Sequence, residues 1–197
     1  MSHYVNDPYL INGYKFDLRI YVGVTSINPL WIYVYDEGLV WFATVKYQPI
    51  TEAIDEFSRY THLTNYAVNK KNANFIENTD ADEDDTGSKW SLSALWKHFW
   101  SLDIDPKIIR DQIDDIVIKT FITAEHHINR AFSEQVCHQS NCFEMQGFDV
   151  LIDSKLKVWL LEANLSASLA CDTPLDQKIK GNLIADTFSL AAIVPIE

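Results

Sequence analysis

Apolar and polar side chains alternate from Tyr14 to Ser26, and β-branched and aromatic residues dominate there, which predicts a strand. Pro29 to Tyr35 is a second run of the same kind. Asp36-Glu37-Gly38 signals a turn, and Leu39 to Thr44 predicts a third strand. The period then changes. From Ser91 to Trp100 the residues Leu92, Leu95, Trp96 and Phe99 fall on one helical face, behind a serine able to cap it. A longer helix opens at Asp105, a capping residue, with Pro106 at its first position. Its apolar stripe is Ile109, Ile113, Ile116, Val117, Thr120, Phe121 and Ala124. Two strands follow, Glu144 to Ile152 and Val158 to Asn164, and a helix from about Leu175 to Ile193 closes the chain. No internal repeat or long linker interrupts this order. Strands, helices, a hairpin and a helix predict an α+β fold, an antiparallel sheet flanked by helices.

The hairpin carries the most informative polar residues. Glu162 and Asn164 are two apart and share a face, together with Val158 and Leu160. Asp149 shares a face with Leu151 and Asp153. A turn over Ser154 to Lys157 pairs Asp153 with Val158, Leu151 with Leu160 and Asp149 with Glu162. Facing carboxylates destabilise a sheet unless a divalent cation lies between them. Two carboxylates and an amide oxygen form an all-oxygen set that suits magnesium also holding phosphate oxygens. Magnesium in that position neutralises phosphate charge during transfer. A surface hairpin whose acids face water has the same pattern. The apolar flanks, VLI before and VWLL after, favour strands inside a sheet over a wet edge.

Lys15, Asp17 and Arg19 share one face of the first strand, opposite Phe16, Leu18 and Ile20. They form either a salt-bridged polar face or an anion pocket, with Asp17 orienting the cations or touching a ribose. Thr64 and Asn65 lie in a polar segment, where short side chains can also cap or turn the chain.

Composition narrows the classes. The chain has 197 residues, 47% of them hydrophobic and 13% aromatic, as one globular domain with a real core does. The net charge of −12 argues against nucleic acid as a partner. An acidic protein substrate would likewise need a local basic patch. Part of the acidity is local, in Asp80, Asp82, Glu83, Asp84 and Asp85, inside a polar stretch expected to be an exposed, mobile loop at about 72–89. No apolar run is long enough for a bilayer, and no signal-peptide region opens the sequence, so it reads as soluble and intracellular, with no membrane partner. Cys137, His138 and Cys142 form a C-H-x3-C cluster, but no fourth ligand lies at finger-like spacing. A loop carrying thiols in a reducing compartment is the better reading.

Six successive blocks resemble one family in order and spacing: DPYLINGYKFDLRIYVGVTS, YDEGLVWFAT, THLTNYAVNK, KWSLSALW, FEMQGFDVLIDSKLKVWLLEANLSASL and CDTPLDQKIKGNLIADTF. The chain resembles the C-terminal part of the catalytic domain of tubulin–tyrosine-ligase-like proteins, closest to the polyglutamylases. That resemblance implies an ATP-grasp fold using ATP and magnesium. It assigns Asp149, Glu162 and Asn164 to the metal, Lys15, Asp17, Thr64 and Asn65 to the nucleotide site, and Arg19 and Glu162 to catalysis. The implied reaction phosphorylates a carboxylate with ATP, and the amine of free glutamate then displaces phosphate to form an amide. The implied acceptors are glutamate side chains in tubulin C-terminal tails. The implied location is cytoplasmic, on microtubules of the cytoskeleton, cilium or basal body. Two departures stand out. After GLV the family carries a basic residue, and here it is Trp41; EVNLSPSL appears as EANLSASL. The N-terminal lobe and its glycine-containing, lysine-bearing segment are expected to be missing, since the glycines here are isolated. The alternative is an inactive remnant that binds microtubules or a partner, and a third reading adds glycine or tyrosine.

Overall fold

The computed structural model describes residues 3–49, 59–136 and 142–192. Strand β1 (Leu10–Ile11) turns into β2 (Tyr14–Ile27) through Asn12 and Gly13. Both turn residues have positive φ, 53° and 84°, as a two-residue type I′ hairpin requires. β2 runs antiparallel to β3 (Leu30–Phe42). Two single-turn helices follow, α1 (Arg59–His62) and α2 (Tyr66–Asn69), then β4 (Lys89–Ser91), α3 (Leu92–Ser101) and α4 (Lys107–Gln135). The hairpin β5 (Glu144–Ile152) and β6 (Val158–Asn164) precedes α5 (Pro174–Leu190). The sheet order is β4-β3-β2-β5-β6, with β1 beside β2, and every pairing is antiparallel. The α+β expectation is borne out.

β2 is covered on both faces, so its alternation separates two interiors. Phe16, Leu18, Ile20, Val22 and Val24 pack with Leu95 and Phe99 of α3 and with Ile109, Ile113, Val117 and Phe121 of α4. Each such side chain contributes roughly 1.5–3 kcal/mol on burial. On the other face Tyr21 and Leu39 meet Leu175, Ile179 and Leu183 of α5. The N-terminus of α5 is closed by a capping box: Thr173 Oγ1 accepts from the Asp176 amide at 3.2 Å, and the Asp176 carboxylate accepts from the Thr173 amide at 3.2 Å. Asp105 Oδ1 accepts from the Lys107 amide at 2.9 Å and so supports the start of α4.

Three details differ from the sequence reading. Asp36-Glu37-Gly38 is not a turn, because β3 continues through it with Gly38 opposite Ile20. Gly38 is required by close approach: a Cβ there would lie 2.5 Å from the Arg19 carbonyl oxygen. Glu37 instead receives the Ser93 amide at 3.0 Å and its hydroxyl at 2.7 Å, at the start of α3. The hairpin register is shifted near its turn, where Ile152 pairs with Val158 and Leu151 with Trp159. The Asp153 carboxylate organises that turn by accepting from the amides of Lys155 and Lys157 and from the Trp159 indole. A bulge at Leu161 then restores the opposition of Asp149 and Glu162. Lastly, only β5 lies inside the sheet. β6 is its edge, and Trp159, Leu160 and Leu161 are exposed.

The acidic stretch is tied down at two points. Lys178 Nζ lies 2.9 Å from Asp82 Oδ1, and Asp84 accepts from Ser91 Oγ at 2.6 Å. Cys137 and His138 lie outside the described residues, while Cys142 is exposed. Among the described residues no helix is long and apolar enough to cross a membrane.

Candidate functional site

Register alone builds one polar row across the sheet. Arg19, Asp149 and Glu162 are successive cross-strand partners on β2, β5 and β6, and the row ends in the apolar Leu39 of β3 opposite Arg19. Arg19 grips Asp149 with two bonds, Nε to Oδ1 at 2.5 Å and Nη2 to Oδ2 at 2.9 Å. Asn164 Nδ2 donates to Glu162 Oε1 at 3.1 Å and to Asp149 Oδ2 at 3.4 Å. The structure therefore brings together Arg19, Asp149, Glu162 and Asn164.

The electrostatics of the row follow from burial and neighbours. Burial pushes the Asp149 carboxyl up; Arg19 pulls it down, and the facing Glu162 adds to the rise, leaving it above the usual range. Burial opposes the charge on Arg19, yet the bonds to Asp149 outweigh it and hold the guanidinium firmly protonated. Asn164, donating to Glu162, leads the effects that hold that carboxyl below its ordinary value. A like-charged pair is thus compensated by a guanidinium and an amide N–H.

The same donors suit a hard cation. Glu162 is exposed, so the pair can be approached from solvent. An Asn164 side chain turned by half a revolution presents oxygen in place of N–H. Among the described residues no three His, Cys, Asp or Glu side chains cluster. Two carboxylates and an amide are oxygen donors, the donor type that a hard cation prefers.

The neighbouring row is held by Asp17. Its carboxylate receives Lys15 Nζ at 2.9 Å and the Thr64 hydroxyl. Lys15 and Thr64 are buried. Asn65 does not reach the carboxylates: its Oδ1 caps α2 by accepting from Ala67 N at 2.9 Å and Val68 N at 3.4 Å. Above Arg19 the Trp41 ring stacks, its centroid 4.9 Å from the guanidinium carbon. Below it lies Gly147, where a Cβ would come 3.1 Å from Arg19 Cδ and 3.2 Å from Ala167 Cβ. Gly147→Ala should therefore tilt Arg19 off Asp149 and cost about 1–3 kcal/mol, read as a lower denaturation midpoint in urea with an unchanged slope.

Sequence reasoning missed a second charged group on this face. Lys89 Nζ donates to Asp176 Oδ2 at 2.6 Å. Lys180 Nζ lies 3.2 Å from Asp176 Oδ1 without hydrogen-bond alignment, so its contribution there is coulombic. All three residues are buried. The TPLDQKIK block displays Asp176 and Lys180 four residues apart at a helix start, which is the one local signal that could have found them. With Lys15 and Arg19, these lysines concentrate cationic side chains on one face of an acidic protein.

The family model described as "Tubulin-tyrosine ligase family" matches residues 1–197. Human "Tubulin polyglutamylase TTLL5" is 48% identical over 194 residues, covering 98% of this chain and 15% of that relative. Mouse "Tubulin monoglutamylase TTLL4" is 43% identical over 194 residues, covering 98% and 16%. "Tubulin polyglutamylase ttll6" of Danio rerio is 43% identical over 192 residues, covering 95% and 24%. The chain thus spans a quarter or less of the length of these curated relatives. The similarity to glutamylases read from the sequence blocks is borne out, and the antiparallel sheet flanked by helices agrees with the ATP-grasp-like fold of the family. A match over its whole length, supported by relatives at this identity, makes the chain a member of the tubulin–tyrosine ligase family.

Proposed function

We propose that the chain is part of an ATP- and magnesium-dependent ligase that joins free glutamate to glutamate side chains in tubulin C-terminal tails. The observation that carries this reading is Asp149 opposite Glu162 on neighbouring strands, with Arg19 and Asn164 closing the group. Asp149, Glu162 and Asn164 would hold the magnesium ion, which supplies charge neutralisation at the phosphates. Arg19 and Lys15 face the anionic groups of nucleotide and acceptor, and Arg19 can bind them through its fork. Asp17, anchored by Lys15 and Thr64, orients that cationic strand on the nucleotide side. Asn65 acts there by fixing the start of α2.

In the proposed reaction an acceptor carboxylate oxygen attacks the γ-phosphorus and ADP leaves. The amine of glutamate then attacks the acyl carbon, losing a proton, and phosphate departs. Positioning and neutralisation carry such a transfer without a side-chain nucleophile. The proposed place of work is the microtubules of the cytoplasm, cilium or basal body, a reading that the likeness to tubulin-modifying relatives supports.

Trp41, standing where the family carries a basic residue, favours a second reading, a non-catalytic binder of microtubules. Calorimetric titration of magnesium–ATP into the full-length gene product separates the two, with heat of binding expected for the ligase. Incubation with tubulin and labelled glutamate, glycine or tyrosine should then incorporate glutamate. Absence of ATP binding sinks the ligase reading, and label from glycine alone sinks the choice of amino acid.

A further inference from the structure

We infer that Trp41 is a positioning residue for Arg19, fixing the plane of the guanidinium that meets substrate anions. The inference rests on the ligase reading and adds a residue to it. Trp41 sits at the centre of the polar face, paired with Asp17 of β2 on one side and Lys89 of β4 on the other. Its ring centroid lies 4.9 Å from the Arg19 guanidinium carbon. Gly147 leaves the space for the Arg19 side chain, and Asp149 takes two of its N–H groups at the fork. Arg19 is therefore limited by the ring, by the bare backbone at Gly147 and by a carboxylate. An arginine has five N–H donors, so three remain for a ligand anion, and their direction is set by the plane the ring enforces.

A basic residue at position 41 would add charge but repel Arg19. The indole attracts the guanidinium through its π face and adds no charge. The indole also carries an unused donor. Trp41 Nε1 is buried and has no acceptor among the described residues. Buried donors are normally paired. A carboxylate or phosphate oxygen of a bound substrate, held beside Arg19, supplies the acceptor that this N–H lacks. The ring thus orients the charged partner, and the N–H completes the anion contact.

The test compares Trp41→Phe, which keeps a ring without the N–H, with Trp41→Met, which fills space without a ring; Trp41→Gln replaces the latter should it not fold. In the ligand-free full-length protein the ring current should place the Arg19 Nε–H resonance upfield of its position in the Met variant, against the downfield effect of the short bond to Asp149. That shift should persist in the Phe variant. In ligation assays the Met variant should lose about tenfold in kcat, within the range of a desolvated cation–π contact. The Phe variant should keep kcat within about threefold and show a raised KM for the anionic substrate whose oxygen meets the N–H. An Arg19 signal that does not move between the unmodified protein and the Met variant overturns the inference. So does an equal loss of kcat in both variants, or an unaltered kcat in the Met variant. A full-length protein that shows the Arg19 shift but incorporates no glutamate would overturn the ligase reading instead, leaving the stack itself established.

Discussion

Asp176→Asn should lower the unfolding free energy by about 3–5 kcal/mol, the cost of removing one partner from a buried ionic group. The side chain of Asp176 is only 2% exposed, with Lys89 at 4% and Lys180 at 6%. Without the carboxylate, two ammonium groups are left buried and facing each other, with no counter-charge between them. The same carboxylate accepts the Thr173 amide in the capping box, so the helix start weakens too. Burial works against both members of the Lys89–Asp176 pair, with different outcomes. It holds Lys89 below its ordinary pKa despite Asp176. Burial would raise Asp176, but Lys89 and Lys180 together outweigh it and hold that carboxyl below its ordinary value. One anion serves two cations, which is why the partners do not shift alike. Removing Lys89 therefore also removes a desolvation cost, and Lys89→Met should be the milder change. The pH dependence follows from the depressed carboxyl. Its stabilisation is fully present above the unfolded carboxylate range and is lost as pH falls through the folded value. Urea denaturation at neutral and acidic pH should show the unmodified protein losing its advantage over Asp176→Asn on acidification. A neutral-pH difference under 1 kcal/mol would show that the group is too well hydrated to matter.

Much of the site was legible because strands write themselves in a period of two. The bounds of β5 and β6, and the opposition of Asp149 and Glu162, were read from alternation and apolar flanks. Nearer the turn, alternation predicts pairings one residue out of register. The acids still met because a bulge at Leu161 absorbs the shift, and a bulge leaves no mark in alternation. Residue type predicts a turn at Asp36-Glu37-Gly38, although Gly38 serves close packing against the Arg19 carbonyl and Glu37 serves a helix start. Asn12-Gly13 is the opposite case: a strong hairpin dipeptide at a tight turn that the strand pattern alone does not mark. Lys89 and Asp176 are 87 positions apart, so their meeting depends on β4 joining the sheet and α5 packing over it. Local pattern carries no trace of such a pair. It also could not show that Asn65 spends its side chain on a cap while Thr64, one residue earlier, points at Asp17.

Arg19→Met should move cation binding and turnover in opposite directions. In the ligand-free protein Arg19 occupies both oxygens of Asp149, so a divalent ion must compete with a guanidinium for the same carboxylate. Charge-assisted bonds of this kind are worth about 1.5–3 kcal/mol, and each 1.4 kcal/mol is tenfold in affinity. Freed from the pair, Asp149 and Glu162 face each other with no positive charge between them, and their repulsion is relieved by the ion itself. Manganese, followed by its paramagnetic resonance, should therefore bind roughly tenfold to a hundredfold more tightly to Arg19→Met than to the unmodified protein. Ligation should nevertheless fall by about three to five orders of magnitude, the scale of an arginine that neutralises a transferring phosphoryl group. The ion-free variant should also be less stable, and manganese should restore part of that loss by mass action. A simple packing role for Arg19 would weaken ion binding and turnover together, because a disordered carboxylate pair binds nothing well. Weaker manganese binding in Arg19→Met would thus remove the claim that the guanidinium and the ion share Asp149, whatever the assay for glutamate incorporation shows.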